Sequence, residues 1–396
     1  MKKQFFALAA LGPLALTTYA QSNVTLYGVI DEGLQFNTNN RNVVSGHNVG
    51  GRQWNLDSLS GPSGSRWGVK GNEDLGGGLS AVFSLESGVN LNNGNFGQGG
   101  TEFGRQAYVG IASRDYGTLL FGRQYDSVND YVGYMTYGLV GYGNGIAHPG
   151  DIDNTTHVSR PNNTIKYTSP NLHGFTFGGT VTLGGIAGSV STNSGYSAAV
   201  GYRQGPVSFG LVYELFKNPS SQGAVLNSNA NAAPPATTTL YGSLNSGYLA
   251  GANPATSWQV IATAASYNFG RFVVAGAYSN VRYANIGRYN GASAGFNDFE
   301  VNAMYQASPT VFFSVAYNYL KGNAVRGDIG DQTYHQFYAM ADYALSKRTD
   351  VYATATYQLA SGTNSVGTAA VADISNVGDS SNNHQALFRV GMRHRF

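Results

Sequence analysis

From Val24 to the C-terminus, apolar and polar residues alternate at period two in segments of about ten residues, as strands do when successive side chains point to opposite faces. In the last segment Ala386, Phe388, Val390, Met392 and Phe396 fall on one face, interrupted by His394, while Gln385, Arg389, Gly391, Arg393 and Arg395 fall on the other. Phe299, Val301, Ala303 and Tyr305 alternate likewise with Glu300, Asn302, Met304 and Gln306. So do Val351, Ala353, Ala355 and Tyr357 with Tyr352, Thr354, Thr356 and Gln358. A soluble sandwich also alternates, but its buried face favours bulky Val, Ile, Leu and Phe. Here many apolar faces carry Ala or Gly and gain aromatics near the segment ends, among them Tyr213, Tyr267, Tyr278, Tyr305, Tyr317, Tyr319, Tyr343 and Tyr357. Lipid fills around small residues and an amphipathic ring sits well at headgroup level, so the pattern predicts strands with one face to lipid.

The connections alternate in length. Short ones are expected at 71–78, 113–117, 169–174, 203–206, 268–270, 307–310 and 345–348, and long ones at 37–64, 87–103, 126–162, 184–194, 216–255, 281–297, 321–333 and 360–383. Seven short and eight long connections join sixteen strands. An even, closed, antiparallel sheet satisfies every backbone group inside lipid, and sixteen strands leave an aqueous lumen. The predicted fold is therefore all-β, a transmembrane antiparallel β-barrel of 16 strands, with short turns in the periplasm and long loops outside. The connection 216–255, rich in Ala, Asn, Ser and Pro, reads as irregular surface and not as a linker between domains.

Composition sharpens this picture. Only 11% of the residues are charged, where an ordinary soluble domain carries about a quarter. Lys2 and Lys3, the apolar run from Phe5 to Leu16 and the small residues Thr18 and Ala20 predict a signal peptide over residues 1–20, leaving a single barrel domain over 21–396. Removing that leader lowers Lys+Arg from 23 to 21 against 21 Asp+Glu, so the charge falls from +2 to zero and no nucleic-acid partner is expected. No later run approaches the ~20 apolar residues of a membrane-crossing helix. The chain has no Cys, which rules out a disulfide scaffold, a thiol enzyme and a cysteine metal site.

Catalytic chemistry is thin. The Gly-rich run from Gly94 to Gly100 precedes no helix, the seven His show no metal spacing, and no Gly-x-Ser-x-Gly elbow stands before a helix. No catalytic residue, cofactor or metal is expected. Asp151 and Asp153 nevertheless read equally as pore-lining acids, calcium ligands or solvated loop acids.

Seven motifs stand in one order along the chain: Val24-Thr25-Leu26-Tyr27-Gly28; Ser65-Arg66-Trp67-Gly68-Val69-Lys70-Gly71 with Glu73-Asp74-Leu75-Gly76; Gly104-Arg105-Gln106-Ala107-Tyr108-Val109-Gly110; Phe121-Gly122-Arg123-Gln124-Tyr125-Asp126; Asn163-Thr164-Ile165-Lys166-Tyr167 with Ser169-Pro170; Leu345-Ser346-Lys347-Arg348-Thr349; and Gly391-Met392-Arg393-His394-Arg395-Phe396. With them the chain resembles the general Gram-negative trimeric porins, especially the β-proteobacterial subgroup, over essentially its whole mature length. The resemblance implies a homotrimer of sixteen-stranded barrels, each with its own pore narrowed by an inward-folded third loop. It implies residence in the outer membrane, reached through the periplasm, among lipid and lipopolysaccharide. It further implies delivery by the outer-membrane assembly machinery, with Phe396 as the terminal assembly signal.

Resemblance also places Arg66 and Arg105 in a basic cluster on the barrel wall, and Arg123 at the trimer contact with Glu102 as its partner. Alternation adds Lys70 and Lys166 to the basic wall, because Trp67, Val69, Ile165 and Tyr167 take the outward face, and adds Arg389 and Arg393 to the lumen by the parity of the last strand. Asp126, Asp130, Asp151 and Asp153 of the third loop form the expected acidic side of a transverse field. The expected function is passive diffusion of small hydrophilic solutes and inorganic ions with a slight anion preference. A barrel lipid hydrolase and a surface receptor working through its loops are the competing readings.

Overall fold

The computed structural model describes residues 23–396 apart from residues 46, 59–60, 137–146, 229–242 and 252; the expected leader, residues 1–20, lies outside the described residues. In chain order the first strands are β1 (Asn23–Val44), β2 (His47–Asp57), β3 (Arg66–Gly76), β4 (Leu79–Gly88), β5 (Gln106–Ser113), β6 (Gly117–Arg123), β7 (Thr164–Thr168), β8 (Phe175–Thr182), β9 (Gly195–Gln204) and β10 (Val207–Lys217). They are followed by β11 (Ser257–Asn268), β12 (Phe272–Ile286), β13 (Ala292–Ser308), β14 (Val311–Gly322), β15 (Gln332–Ala344), β16 (Thr349–Gly362), β17 (Asp373–Ile374), β18 (Gly378–Asp379) and β19 (His384–Arg395).

Each strand pairs antiparallel with its neighbours, and β19 closes on β1 in a register running from Val29↔Arg395 to Asn37↔Leu387. β2 and β3 share one place in the wall: β2 lies against residues 33–44 of β1 and β3 against residues 23–29. With β17 and β18 forming a separate small hairpin in the last loop, the wall is a closed barrel of sixteen strands. The first connection departs from expectation. β1 continues to Val44 and the chain returns at His47, so the hairpin is strand almost to its tip, and the break in the wall falls between Asp57 and Arg66, where Ser63 and Ser65 hydrogen-bond Asp31. The polar run Asn37-Thr38-Asn39-Asn40 still alternates, and Asn37 and Asn40 pair with β2 across a register shift at Thr38 and Asn39, which composition alone disguises as loop.

The faces are inverted relative to a soluble protein. Phe388, Val390 and Met392 are 48%, 66% and 50% exposed, while Arg389 and Arg393 between them are 2% and 5% exposed. Outward rings meet across strands in register, Tyr278 with Phe299 at 4.9 Å and Phe299 with Tyr319 at 6.5 Å, and Phe272, Tyr305 and Phe313 form a second row near the short turns. These rows are the aromatic belts expected at the two interfaces.

The described part of the connection after β10 does not lie on the surface. Val225, Leu244, Tyr248 and Leu249 are buried, and Tyr248 packs within about 6 Å of the rings of Tyr283, Tyr289 and Phe296 on the inner wall. Its backbone is fixed by Gln332 donating to Leu244 O at 2.8 Å and by Gly247 N donating to Ser365 Oγ at 2.8 Å. A few bulky apolar residues within a polar, small-residue sequence suffice to draw the segment in, because the inner wall there offers Trp258, Tyr283 and Phe296.

Closure of the barrel depends on Gly28, whose N–H donates to Phe396 O and whose carbonyl accepts from Phe396 N, both at 3.1 Å. A Cβ at Gly28 would lie 2.4 Å from the Phe396 ring and 2.7 Å from the Arg66 carbonyl, whereas one at Gly51 meets nothing within 4 Å. Gly28→Val is expected to cut the yield of heat-modifiable barrel severalfold and Gly51→Val to leave it unchanged; equal yields in a gel-shift folding assay would refute the closure role.

Candidate functional site

Between β6 and β7 the third long loop folds into the barrel. It opens with a helix, Ser127–Tyr131, capped by Asp126, whose carboxylate accepts from Asn129 N at 2.9 Å. Val128, Tyr131, Val132, Met135 and Ile152 of the loop bury against Val212, Val260, Ala262 and Ala264 of the wall. The wall makes room by being small: a Cβ at Gly210 would stand 2.0 Å from Tyr131 O and one at Gly178 2.3 Å from Tyr131 Oη. Hydrogen bonds complete the seat, from Asn302 Nδ2 to Met135 O at 3.0 Å and from Gln336 Nε2 to Ala147 O at 2.8 Å. The third loop and the inward connection after β10 thus line the β8–β15 side of the lumen with protein, leaving the polar faces of β1–β6 as its opposite wall.

Where that opposite wall meets the two ends of the third loop stands a compact basic cluster. Glu86 on β4 accepts from Arg105 Nε at 2.7 Å, from Tyr125 Oη at 3.1 Å and from Tyr27 Oη at 3.0 Å, with Arg66 Nε at 3.8 Å. Arg105 Nη2 donates to Tyr125 Oη at 2.9 Å, and the Arg160 guanidinium stacks 5.4 Å from the centre of the Tyr125 ring. His157 sits 3.4 Å from Arg105 Nη2; burial, with Arg160 and Arg105 beside it, holds its imidazole well below the ordinary histidine range and therefore neutral at pH 7. Burial and the neighbouring Arg105 lower Arg160 to about 10, which leaves it charged. Three guanidiniums around one carboxylate give this group an excess of two positive charges among the described residues.

The remaining expected residues are distributed as follows. Lys166 lies on the lumen side, but its ammonium is 2.6 Å from Asp130 and 3.0 Å from Tyr125 O, so one loop acid neutralises one wall cation. Lys70 lies 5.1 Å from the centre of the Tyr27 ring, exposed below the cluster. Asp126, Asp151 and Asp153 are 0%, 7% and 0% exposed: they sit beneath the loop, accepting from its own backbone and from the wall, and do not face its open side. Arg389 bridges Asp31 at 3.1 Å and Asp57 at 2.8 Å, and Arg393 bridges Asp342 at 3.0 Å and Asp350 at 2.9 Å, so both arginines of the last strand are engaged by carboxylates and add no free positive charge to the lumen. Arg123 donates to Gly104 O at 2.8 Å and Asn162 Oδ1 at 2.5 Å, Glu102 is exposed, and Phe396 closes the seam on β1. Glu86, Tyr125, His157 and Arg160 escaped the sequence reading. Glu86 was accessible in principle, since Ser84, Glu86 and Gly88 share the polar parity of β4.

A closed antiparallel wall with its apolar face outward, its polar face inward and a loop laid across its waist is an outer-membrane β-barrel of the wide-lumen class. The Gram-negative porin family model matches residues 7–363, and the chain belongs to that family. It is 40% identical over 184 residues to an outer membrane porin protein of Bordetella pertussis, a match covering 45% of this chain and 47% of that one. It is 34% identical over 223 residues to outer membrane porin protein 32 of Delftia acidovorans, covering 53% and 59%. The chain spans about half the length of the curated relatives it matches. Among solved structures, an anion-selective porin from Comamonas acidovorans superposes with a TM-score of 0.71 at 23% identity over 95% of this chain and 100% of that one, a likeness of fold.

Asp126 gives the site a pH dependence. Burial pushes its carboxyl up to about 6, and Glu214 is buried beside it, so the two acids cannot both ionise there at little cost. The folded form therefore holds a proton that the unfolded chain releases: the stabilisation is complete below pH 3.8 and is lost as pH rises through 6. The shift corresponds to at most about 3 kcal/mol. Asp126→Asn keeps the helix cap and is expected to flatten the fall in urea midpoint between pH 4 and 7 by up to that amount; parallel pH profiles for the two proteins would refute this.

Proposed function

We propose that the chain forms a water-filled channel for passive passage of small hydrophilic solutes and inorganic ions across the outer membrane, with a weak preference for anions. The observation that carries this reading is the net positive group of Arg66 and Arg105 on the wall and Arg160 on the third loop, gathered around Glu86 and Tyr125 with Arg66 its half-exposed member, while Asp126, Asp151 and Asp153 lie beneath that loop. Inward charges of one sign across a narrow wet gap raise the local concentration of the opposite ion. The porin from Comamonas acidovorans that shares this fold is anion-selective, which agrees in sign. The chain works as a channel and not as an enzyme: every step the reading needs is diffusion along a charged wall.

The working form is a homotrimer held in lipid and lipopolysaccharide, assembled by the outer-membrane machinery that reads the terminal Phe396, with Arg123 and Glu102 near the contact between subunits. Export uses the leader over residues 1–20, and residues 21–396 make one barrel domain.

The test is conductance of the purified protein in a planar bilayer under a tenfold salt gradient. Steps in threes and a reversal potential displaced toward the anion limit of about 59 mV are expected. Arg66→Glu takes the cluster from two positive charges to neutral and is expected to move the reversal potential toward the cation side by tens of millivolts, whereas Arg282→Glu, at the exposed extracellular end of β12, leaves it in place. A silent bilayer from folded protein, or an unmoved potential in Arg66→Glu, would overturn the reading.

A further inference from the structure

The third loop meets the β12–β13 wall at a second polar cluster, unrelated to the basic one. His148 Nδ1 lies 2.7 Å from Asp153 Oδ2 and 3.4 Å from Asp298 Oδ1, and its Nε2 lies 2.9 Å from Glu300 Oε2. Ser279 of β12 donates to Asp153 Oδ2 at 2.5 Å, and Asn318 donates to Asp298 Oδ1 at 2.5 Å. All four acid–base side chains are nearly sealed from water. The second oxygen of Asp298, a residue only 1% exposed, has no hydrogen-bond partner.

We infer that His148, Asp153 and Asp298 bind a divalent transition cation of the zinc type, which fastens the third loop to the barrel wall. One donor atom from each residue lies within 4.8 Å of the other two. Zinc bonds of roughly 2.0–2.2 Å in tetrahedral geometry place donors about 3.4 Å apart. The pair His148 Nδ1 and Asp298 Oδ1 stands at 3.4 Å, and the 2.7 Å His148–Asp153 contact opens by about 0.7 Å, a side-chain rotation, when an ion replaces the proton between them. The free Asp298 oxygen or a water takes the fourth position. One imidazole nitrogen with carboxylate oxygens is a borderline donor set that favours zinc over calcium or magnesium.

Two further features point the same way. A metal-ligating histidine almost always gives its other ring N–H to a carboxylate or carbonyl, and Glu300 receives His148 Nε2 in that manner. Charge is the second. Fully ionised, three carboxylates against one imidazolium would carry two uncompensated negative charges in a dry place, whereas with a divalent ion over a neutral imidazole the ionised set carries one, beside the amide donors of Asn302 and Asn318. Binding releases the His148 Nδ1 proton to solvent, so affinity rises with pH as for any imidazole site. The site adds to the channel reading without depending on it, because its ligands lie between loop and wall.

The experiment uses full-length protein purified from outer membranes in mild detergent, dialysed against zinc chloride, then against metal-free buffer, and measured by inductively coupled plasma mass spectrometry. About one zinc per chain is expected. His148→Gln and Asp298→Asn, checked for folding by heat-modifiable migration, are expected to retain less than about a tenth of that, and Glu300→Gln to bind roughly 10–100-fold more weakly. In parallel, cobalt loaded into the wild type is expected to give the strong visible absorption of a four-coordinate nitrogen–oxygen site. Zinc in the wild type no higher than in His148→Gln, or a weak six-coordinate cobalt spectrum, overturns the inference; the cobalt readout decides even where a variant fails to fold. Single-channel conductance of the same preparation reports on the channel separately.

Discussion

A backbone amide in lipid has no partner but another backbone group, and that single constraint organises this molecule. It forces the sheet to close, β19 on β1, and closure turns the usual logic of burial inside out. Phe388, Val390 and Met392 are spent on lipid, while Arg389, Arg393, Asp31 and Gln385 occupy what would be the core of a soluble protein. A polar interior of that width is stable only if it is wet or if its charges are paired, and around Arg389 and Arg393 they are paired.

The inner wall is divided in consequence. From β8 to β13 it presents Gly178, Gly201, Gly210, Ala262, Ala264 and Ala275, too small to fill space and too apolar to hold water, and loop residues such as Tyr131, Met135 and Tyr248 take that space. From β1 to β6 it presents Glu86 and Arg105, buried in one ion pair, with Arg66 half-exposed beside them. Hydrophobic burial thus decides where the loops lie, and what they leave open decides which charges a solute meets. In the proposed channel, selectivity is in this sense a by-product of where the glycines and alanines stand.

Much of the wall was legible from alternation, since a period of two survives in Phe388 and Arg389 or Val301 and Asn302 whatever surrounds them. The division of β2 from β3 was not, because residues 58–65 interrupt a strand without changing its parity enough to announce it. The basic wall was half legible: Arg66 and Arg105 came from motifs, Lys166 from parity, whereas Arg160 and His157 lie on a loop without periodicity, where direction is set by contacts with Tyr125 and Arg105. Asp126, Asp151 and Asp153 illustrate the same limit from the other side. An aspartate in a Gly- and Asn-rich loop reads as solvated, yet each turns inward to cap a helix, to hold loop amides or to meet the wall.

The seam between Gly28 and Phe396 has a consequence in time. Residues more than 350 positions apart must meet before the wall is complete, so every rung of the β1–β19 ladder belongs to the first and last stretches of barrel to be synthesised. Loop-closure entropy makes such a pairing slow and leaves nothing to reward it early. A chain lacking β19 therefore has two bare strand edges and no barrel. Because the closing rungs all lie on that strand, no earlier part of the wall can be sealed against lipid until β19 is in place.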